Sequence, residues 1–330
     1  MKLMKSFKTK TMAQTLLLVD TDCGIDDAQA IMMALAAPRV QILGITCCFG
    51  NTSVENVCRN TLEVLKVCNK LEIPVFCGAA SSLIGGPCLS CDHFGKDGLG
   101  DVLLNSNEQT EQLQAEPAVS AMIRLASEYQ GQVSIVAIGP LTNLALAVRM
   151  DPTFPQKLKN LYIMGGNMQG QGNKTACGEF NFVMDPEAAH VVLNEFSCPT
   201  YIATWEFTCQ NKLPWEFFDK WVNQGTEKAD FMKKITSSCR AYFREVTSRK
   251  DLLFGNGFVP YDSFAMAAAI NNSAIVEMSE CAARVELSGH LTRGMMAVDP
   301  MNELNTTRKI FVMKKCNMTI IKELLWMALN

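Results

Sequence analysis

The stretch Leu16-Leu-Leu-Val-Asp20-Thr-Asp22-Cys-Gly24-Ile-Asp26-Asp27-Ala-Gln-Ala-Ile-Met-Met-Ala-Leu35 decides the fold of this chain of 330 residues. Its four apolar residues lead into Asp20 and predict a short buried strand. From Asp26 onward the sequence predicts a helix that ends before Pro38 and is apolar nearly all round. Such a helix is expected to be buried. A strand, a sharp turn at Gly24 and a buried helix therefore predict one unit of a parallel α/β sheet.

Four carboxylates fall within eight residues of this stretch, at Asp20, Asp22, Asp26 and Asp27. The predicted turn places them at the carboxyl end of the sheet, where open α/β sheets bind their ligands. Carboxylates so close together repel one another unless some are protonated or a cation lies between them. An acidic helix start would explain Asp26 and Asp27, but Asp20 and Asp22 precede the helix. The pattern therefore favours a site for Ca²⁺ or Mg²⁺, which prefer several hard oxygen ligands.

Composition limits the classes of protein to which the chain can belong. The net charge of −3 gives no electrostatic reason to expect nucleic acid or an anionic membrane as a partner. Residues 1–14 are basic and lack the apolar run of a secretory signal, so we expect a flexible tail there and a single domain over 15–330. The 14 cysteines then indicate reduced thiols and a cytoplasmic location. The pair Cys88-x-x-Cys91 has no second pair at zinc-site spacing, which argues against structural zinc.

The rest of the chain alternates predicted strands with predicted helices. Further strands are predicted over 40–49, 73–77, 133–138, 160–164, 200–203, 283–287 and 308–312. Helices are predicted over 53–68, 117–129, 141–148, from 185, through much of 214–249, and over 263–270 and 318–329. Long glycine-rich loops are predicted over 78–101 and 165–181. This alternation predicts an α/β fold with a mainly parallel central sheet flanked by helices, Rossmann-like at its core.

Polar residues recur where predicted strands end or in the loops beyond them. Besides the four aspartates, these are Asn51, Asn173, Glu179, Asn181 and Asp262. Each alone is explained as a turn former or a helix cap. Their shared placement indicates one site at the carboxyl edge of the sheet.

With these motifs the chain resembles the inosine-uridine-preferring nucleoside hydrolase family over nearly its whole length from Thr15. The resemblance rests on Asp20-Thr-Asp22-Cys-Gly24-Ile-Asp26-Asp27-Ala, Phe49-Gly-Asn51, Gly139-Pro-Leu-Thr-Asn143, Met164-Gly-Gly166, Glu179-Phe-Asn181, Asp185-Pro-Glu-Ala-Ala-His190 and Asp262. It implies a nucleoside-hydrolase-like catalytic domain that converts ribonucleosides to free base and ribose. A homo-oligomer, either dimer or tetramer, is also implied.

The resemblance further implies a role for each matching residue. A calcium ion would be held by Asp22, Asp27, Asp262 and the backbone carbonyl of Ile138, a position where many relatives have Thr. Asp22 would activate a metal-bound water as general base. The ribose would be bound by five further residues, Asp26, Asn51, Asn173, Glu179 and Asn181.

The chain departs from the family pattern at Tyr261. Many purine-cleaving relatives carry His at this position, where it protonates the leaving base. Tyrosine, with an ordinary pKa of about 10, is a weaker acid near neutrality. Tyr261 is therefore a candidate proton donor, and His93 in the 78–101 loop is a second, weaker candidate.

Two other interpretations stay open at this point. Asp20-Thr-Asp22 after a strand is similar to the nucleophile and acid pair of haloacid-dehalogenase-like phosphatases, although Gly24 stands where that class has Thr or Val. A ribose- or nucleoside-binding homologue that has lost turnover is also compatible with Tyr261.

Overall fold

The strand that leads into the acidic turn lies near the middle of a ten-stranded sheet. The computed structural model describes residues 14–85, 93–104, 112–237, 255–304, 306 and 308–330. Within these residues the strands are β1 (Thr15–Thr21), β2 (Val40–Cys47), β3 (Val75–Cys77), β4 (Leu113–Gln114), β5 (Val133–Ala137), β6 (Asn160–Met164), β7 (Thr200–Ala203), β8 (Ile275–Val285), β9 (Met296–Asp299) and β10 (Ile310–Cys316).

The sheet order is β4-β3-β2-β1-β5-β6-β7-β10-β8-β9. The first eight strands in this order pair in parallel, whereas β8 is antiparallel to both β10 and β9. From β1 the chain runs outward through β2 and β3 to β4 on one side, and then returns to β5, which pairs with β1 on the other side. The chain order therefore reverses beside β1, which is where open α/β sheets form their ligand crevice.

Helices cover the sheet in the alternating order that the sequence predicts. They are α1 (Ile25–Ala36), α2 (Val54–Val67), α3 (Ala118–Glu128), α4 (Thr142–Met150), α5 (Phe180–Met184), α6 (Pro186–Glu195), α7 (Trp205–Gln210), α8 (Trp215–Trp221), α9 (Glu227–Ile235), α10 (Asp262–Ile270) and α11 (Met318–Ala328). Within the described residues, no helix combines the length and the apolarity needed to cross a bilayer.

The central strand β1 is buried on both faces. Leu17 and Val19 pack into one hydrophobic cluster with residues of α1, while Leu18 points into a second cluster with residues of α3 and α4. The apolar helix α1 is buried along most of its length, as its sequence predicts. Because β1 and α1 are held on all sides, the turn between them has little freedom to move.

The mainly parallel α/β fold is confirmed, with some boundaries and small elements corrected. The prediction of a strand over 283–287 is wrong at its start, because β8 begins at Ile275; the first half of β8 is largely exposed and mixes polar with apolar residues. The short elements β4, β9, α5 and α7 were not predicted, and α5 interrupts the end of the 165–181 loop. The pair Cys88-x-x-Cys91, residues 238–249 and nearly all of the 1–14 tail lie outside the described residues.

Candidate active site

The turn between β1 and α1 is fixed by hydrogen bonds to Asp27. The Thr21 hydroxyl donates to Asp27 Oδ1 at 2.5 Å, and the Gly24 backbone N–H donates to Asp27 Oδ2 at 2.9 Å. Asn51 Nδ2, from the loop after β2, lies 3.3 Å from the same Oδ2 atom. The turn thus holds Asp27 in one orientation and ties it to the neighbouring loop.

Asp22 lies in a slot between two glycines. A Cβ atom added to Gly50 would lie 2.1 Å from Asp22 Oδ2, and one added to Gly139 would lie 2.8 Å from Asp22 Oδ1. The Asn51 backbone N–H donates to Oδ2 at 2.7 Å, whereas the buried Oδ1 has no hydrogen-bond partner among the described residues. One carboxylate oxygen is therefore anchored and the other is unsatisfied, which in a buried site is a cost unless a ligand contacts it.

Residues from two distant parts of the sequence meet beside this turn. Asp262 is the first residue of α10, and carboxylate oxygens of Asp26, Asp27 and Asp262 all lie within 4.8 Å of one another. Asp27 and Asp262 are buried and Asp26 is half-buried. Asp262 Oδ2 has no hydrogen-bond partner in the described part of the chain.

The aspartates at this edge of the sheet are like charges that are removed from water. Burial raises the pKa of Asp22 and Asp26 well above the ordinary range, and the nearby charge of Asp27 raises both further. Burial likewise raises the pKa of Asp262, with added repulsion from Asp26, Asp27 and Asp22. These carboxylates offer several hard oxygens, of which Asp22 Oδ1 and Asp262 Oδ2 are buried without a hydrogen-bond partner among the described residues. This donor set fits a divalent cation such as calcium or magnesium.

The loops after β5 and β6 bring further predicted residues to the same edge. Asn181 Nδ2 donates to the backbone carbonyls of Ile138 and Met164, both at 3.1 Å. Asn181 Oδ1 is buried and has no partner in the part of the chain that the structure describes. The Ile138 carbonyl therefore lies next to a predicted ribose residue, and it retains a second lone pair.

Glu179 is buried at the start of α5. Its carboxylate accepts hydrogen bonds from the backbone N–H groups of Gly166 at 2.8 Å, Asn181 at 2.9 Å and Phe182 at 3.1 Å. Burial nevertheless raises its pKa to about 7. Asn173 differs from the other predicted ribose residues, because it is exposed and its Oδ1 accepts from the Phe180 N–H at 2.8 Å.

The two candidate proton donors, Tyr261 and His93, pack against different neighbours. Tyr261 directly precedes Asp262, is half-buried, and packs against the cluster formed by Trp205, Cys209 and Val259. His93 is half-buried and its ring meets the ring of Phe94 edge to face, with centroids 4.6 Å apart. Phe94 in turn lies against the turn, because a Cβ added to Gly24 would be 2.8 Å from its ring.

Three buried polar residues that sequence reasoning missed hold the loops of the site. Asn60 Nδ2 donates to the carbonyls of Cys23 at 2.9 Å and Asp97 at 2.7 Å, and so joins the acidic turn to the 93–104 segment. Glu206 accepts from the backbone N–H groups of Met168 and Gln169 in the loop after β6.

The third is Asn143, which bonds Asp20. Its position inside Gly139-Pro-Leu-Thr-Asn143 was a usable signal, whereas Asn60 and Glu206 lie in helices that carry no such motif.

The protein has a mostly parallel sheet with an acidic cluster at its carboxyl edge. These features place it in the class of α/β enzymes whose carboxylates could hold a metal ion. The family model described as inosine-uridine preferring nucleoside hydrolase matches residues 17–323. The chain therefore belongs to this family, whose members are glycosidases that act on N-glycosyl compounds. The predicted family and enzyme class are confirmed, and the phosphatase interpretation finds no support.

Individual relatives agree with this assignment. The chain is 37% identical to uridine nucleosidase 1 of Arabidopsis thaliana over 242 residues, which cover 72% of this chain and 69% of the relative. It is 32% identical to the inosine-uridine preferring nucleoside hydrolase of Leishmania major over 285 residues, covering 86% and 87% of the two chains. Among solved structures, an inosine-guanosine nucleoside hydrolase superposes with a TM-score of 0.86 and 29% identity, covering 96% of this chain and 99% of that one.

Proposed function

We propose that this protein hydrolyses the N-glycosidic bond of ribonucleosides to free base and ribose, and that it needs calcium to do so. The observation that carries the proposal is the meeting of Asp26, Asp27 and Asp262 within 4.8 Å at the carboxyl edge of the sheet. Two of these residues come from the first turn of α1 and one from the start of α10. Family membership supports the reaction class, and the hard oxygen donors support calcium.

Asp22, Asp27, Asp262 and the Ile138 carbonyl are the proposed ligands of the ion. A bound calcium ion would orient the ribose hydroxyls and lower the pKa of the attacking water. The unsatisfied oxygens Asp22 Oδ1 and Asp262 Oδ2 support this choice. Asp26, which also belongs to the close group, is proposed to bind ribose and is near enough to share the ion.

Asp22 is the proposed general base. Its Oδ2 is anchored by the Asn51 N–H, so that Oδ1 is the atom that accepts a proton from the attacking water. General bases held in this way contribute about 10² to 10⁴-fold to rate.

The remaining polar groups are proposed to bind the sugar and to stabilise its charge. Positive charge develops on the ribose as the bond to the base breaks. A rim with buried Asp27, Glu179 and Asp262 is preorganised to favour that charge over the neutral substrate. Asn51, Asn173 and Asn181 supply donors and acceptors for the hydroxyls. Losing one such partner costs about 1–3 kcal/mol, so we expect poor activity on deoxyribonucleosides.

Base preference is proposed to follow from Tyr261 and from the relatives. Tyr261 is adjacent to the acidic cluster and takes the place of the family's histidine, so it is the proposed proton donor to the leaving base, with His93 as the second candidate. The Arabidopsis relative is named for uridine and the Leishmania relative for inosine and uridine. We therefore propose uridine as a substrate.

The test is release of reducing sugar from uridine, inosine and nitrophenyl riboside, measured in chelator and after calcium is restored. We expect ribose from uridine only with calcium, and a loss of at least about 10²-fold in Asp22→Asn. Asp230→Asn, an exposed residue of α9, serves as control and should keep full activity. Failure to cleave even the activated riboside with calcium present contradicts the proposal.

The second candidate function is nucleoside binding without turnover, which the tyrosine at 261 favours. Tight binding of a ribose analogue without release of ribose would identify it. The homo-oligomer, the cytoplasmic location and the single domain over 15–330 stay predictions. Light scattering, imaging of tagged protein and limited proteolysis test them in turn.

A further inference from the structure

One buried side chain connects the strands beneath the acidic turn. Asn143, the second residue of α4, is 0% exposed. Its Nδ2 donates to Asp20 Oδ1 at 2.9 Å and to the Cys47 carbonyl at 3.0 Å. Its Oδ1 accepts from the Ala79 N–H at 2.9 Å. Both donors and the acceptor of a single amide are therefore engaged.

These three contacts cross four consecutive strands of the sheet. Asp20 belongs to β1 and Cys47 to β2, Ala79 follows β3, and Asn143 itself follows β5. The same chain segments then lead into proposed site residues, since Asp22 follows Asp20. The amide thus joins the bases of the loops that carry the site.

The hydrogen bond from Asn143 satisfies a buried carboxylate, that of Asp20. Its carboxylate is 0% exposed, Oδ1 also accepts from the Thr46 hydroxyl at 2.7 Å, and Oδ2 has no partner among the described residues. A buried carboxylate that loses a donor is costly. Only an asparagine supplies both N–H groups and the carbonyl at this length, because aspartate cannot donate when ionised and leucine cannot bond at all.

We propose that Asn143 is a positioning residue, which sets the place of Asp22 by holding the end of β1 against β2, β3 and β5. It touches neither the substrate nor the proposed ion, and it acts through Asp20 and the backbone. The inference rests on the proposed function for its catalytic consequence. Displacing a general base by even 1 Å costs about 10²-fold in rate, and partners that orient metal ligands are worth about 10–100-fold in metal affinity or activity.

The experiment compares two substitutions of Asn143 with two matched variants. Asn143→Asp keeps the shape but removes the donors, and Asn143→Ala removes the side chain. Thr142→Val is the control, because the neighbouring Thr142 is equally buried and its hydroxyl bonds Asp185 Oδ2 at 2.7 Å, away from the acidic turn. Gly78→Ala perturbs Asn143 together with its partner Cys47, because the added Cβ would lie 2.5 Å from Asn143 Oδ1 and 2.4 Å from the Cys47 carbonyl oxygen.

For each variant we would measure the melting temperature, kcat and KM for uridine, and calcium affinity by titration calorimetry. We expect the Asn143 variants and Gly78→Ala to lose about 10–100-fold in kcat and to bind calcium about 10-fold more weakly, with KM changed less than about 3-fold. Thr142→Val should lose a similar amount of thermal stability yet keep kcat within about 2-fold. If Asn143→Asp does not fold, Gly78→Ala provides the same comparison.

Failure of the inference can be told apart from failure of the proposed function. An active wild type in which the Asn143 variants and Gly78→Ala match Thr142→Val in kcat and calcium affinity overturns the inference alone. A wild type that binds calcium without cleaving nucleosides overturns the function, while weaker calcium binding in Asn143→Asp than in Thr142→Val still supports the inference. A wild type that does neither overturns both.

Discussion

Replacing Asp262 by asparagine should raise the stability of the metal-free protein and abolish the stabilisation that calcium gives. Two unit charges 4.8 Å apart, the outer limit of the spacing in this cluster, repel by about 3.5 kcal/mol at an effective dielectric constant of about 20. Protonation relieves part of this repulsion, because burial and the neighbouring charges raise the pKa of Asp262. We therefore expect Asp262→Asn to gain about 1–3 kcal/mol in free energy of unfolding in chelator.

Calcium should reverse the order of stability. A ligand that binds only the folded state adds about 4.1 kcal/mol to the free energy of unfolding at 1,000 times its Kd, which exceeds the gain of about 1–3 kcal/mol expected for Asp262→Asn in chelator. The wild type should gain this amount, whereas Asp262→Asn lacks a proposed ligand and should gain little. For a chain of this length 1 kcal/mol corresponds to about 1–2 °C in Tm, so the two melting curves should exchange places when calcium replaces chelator.

The assay is scanning calorimetry of wild type, Asp262→Asn and the surface control Asp230→Asn, each in chelator and in excess calcium. Asp230→Asn should follow the wild type in both conditions. Asp262→Asn that is less stable than wild type in chelator, or that gains as much from calcium, would refute the reasoning about repulsion and ion binding.

Three more predictions address the slot, the buried acids and the leaving group. Gly50→Ala should reduce kcat at least about 10²-fold, because its methyl group collides with Asp22. Gly44→Ala in β2 is the control, because its methyl group meets the ring of Phe76 in β3 and the Pro74 carbonyl oxygen, so it should affect stability but leave kcat largely intact. Equal kcat losses would contradict the slot. In chelator, the free energy of unfolding should fall as pH rises from about 5 to 7. Glu179 has a pKa of about 7 in the folded protein and an ordinary value of 4.5 in the unfolded chain, so the folded state binds more protons over this range. A Tm that rises from about pH 5 to 7 would contradict this prediction. Tyr261→Phe should slow uridine cleavage at least about 10-fold but leave cleavage of nitrophenyl riboside unchanged, because that leaving group needs no proton. Equal effects on both substrates would contradict the role of Tyr261 as proton donor.

Local signals explain how much of the fold could be predicted. Gly24 and the aspartates beside it mark the turn before α1, and Asp185-Pro-Glu187 marks the start of α6 to the residue. Strand β6 was likewise predicted with its exact limits. These features depend on neighbours in sequence, such as caps, prolines and apolar runs.

The remaining features depend on contacts between distant residues. Asn143 and Asp20 are 123 residues apart in sequence, and only the adjacency of β1 and β5 brings them together. The slot around Asp22 likewise needs Gly50 and Gly139 to arrive from two different strands. The first half of β8 has few buried residues to mark it as a strand, and it gains its place by pairing with β10.

The central claim is that acidic side chains at the carboxyl edge of the sheet hold a calcium ion, which in turn binds the ribose. The most direct measurement is a crystal structure of the protein grown with calcium and ribose. We predict one cation bonded to oxygens of Asp22, Asp27, Asp262 and Ile138 at about 2.3–2.6 Å, with ribose hydroxyls among its other ligands. Ribose bound without a cation, or a cation bound away from these oxygens, would contradict the account.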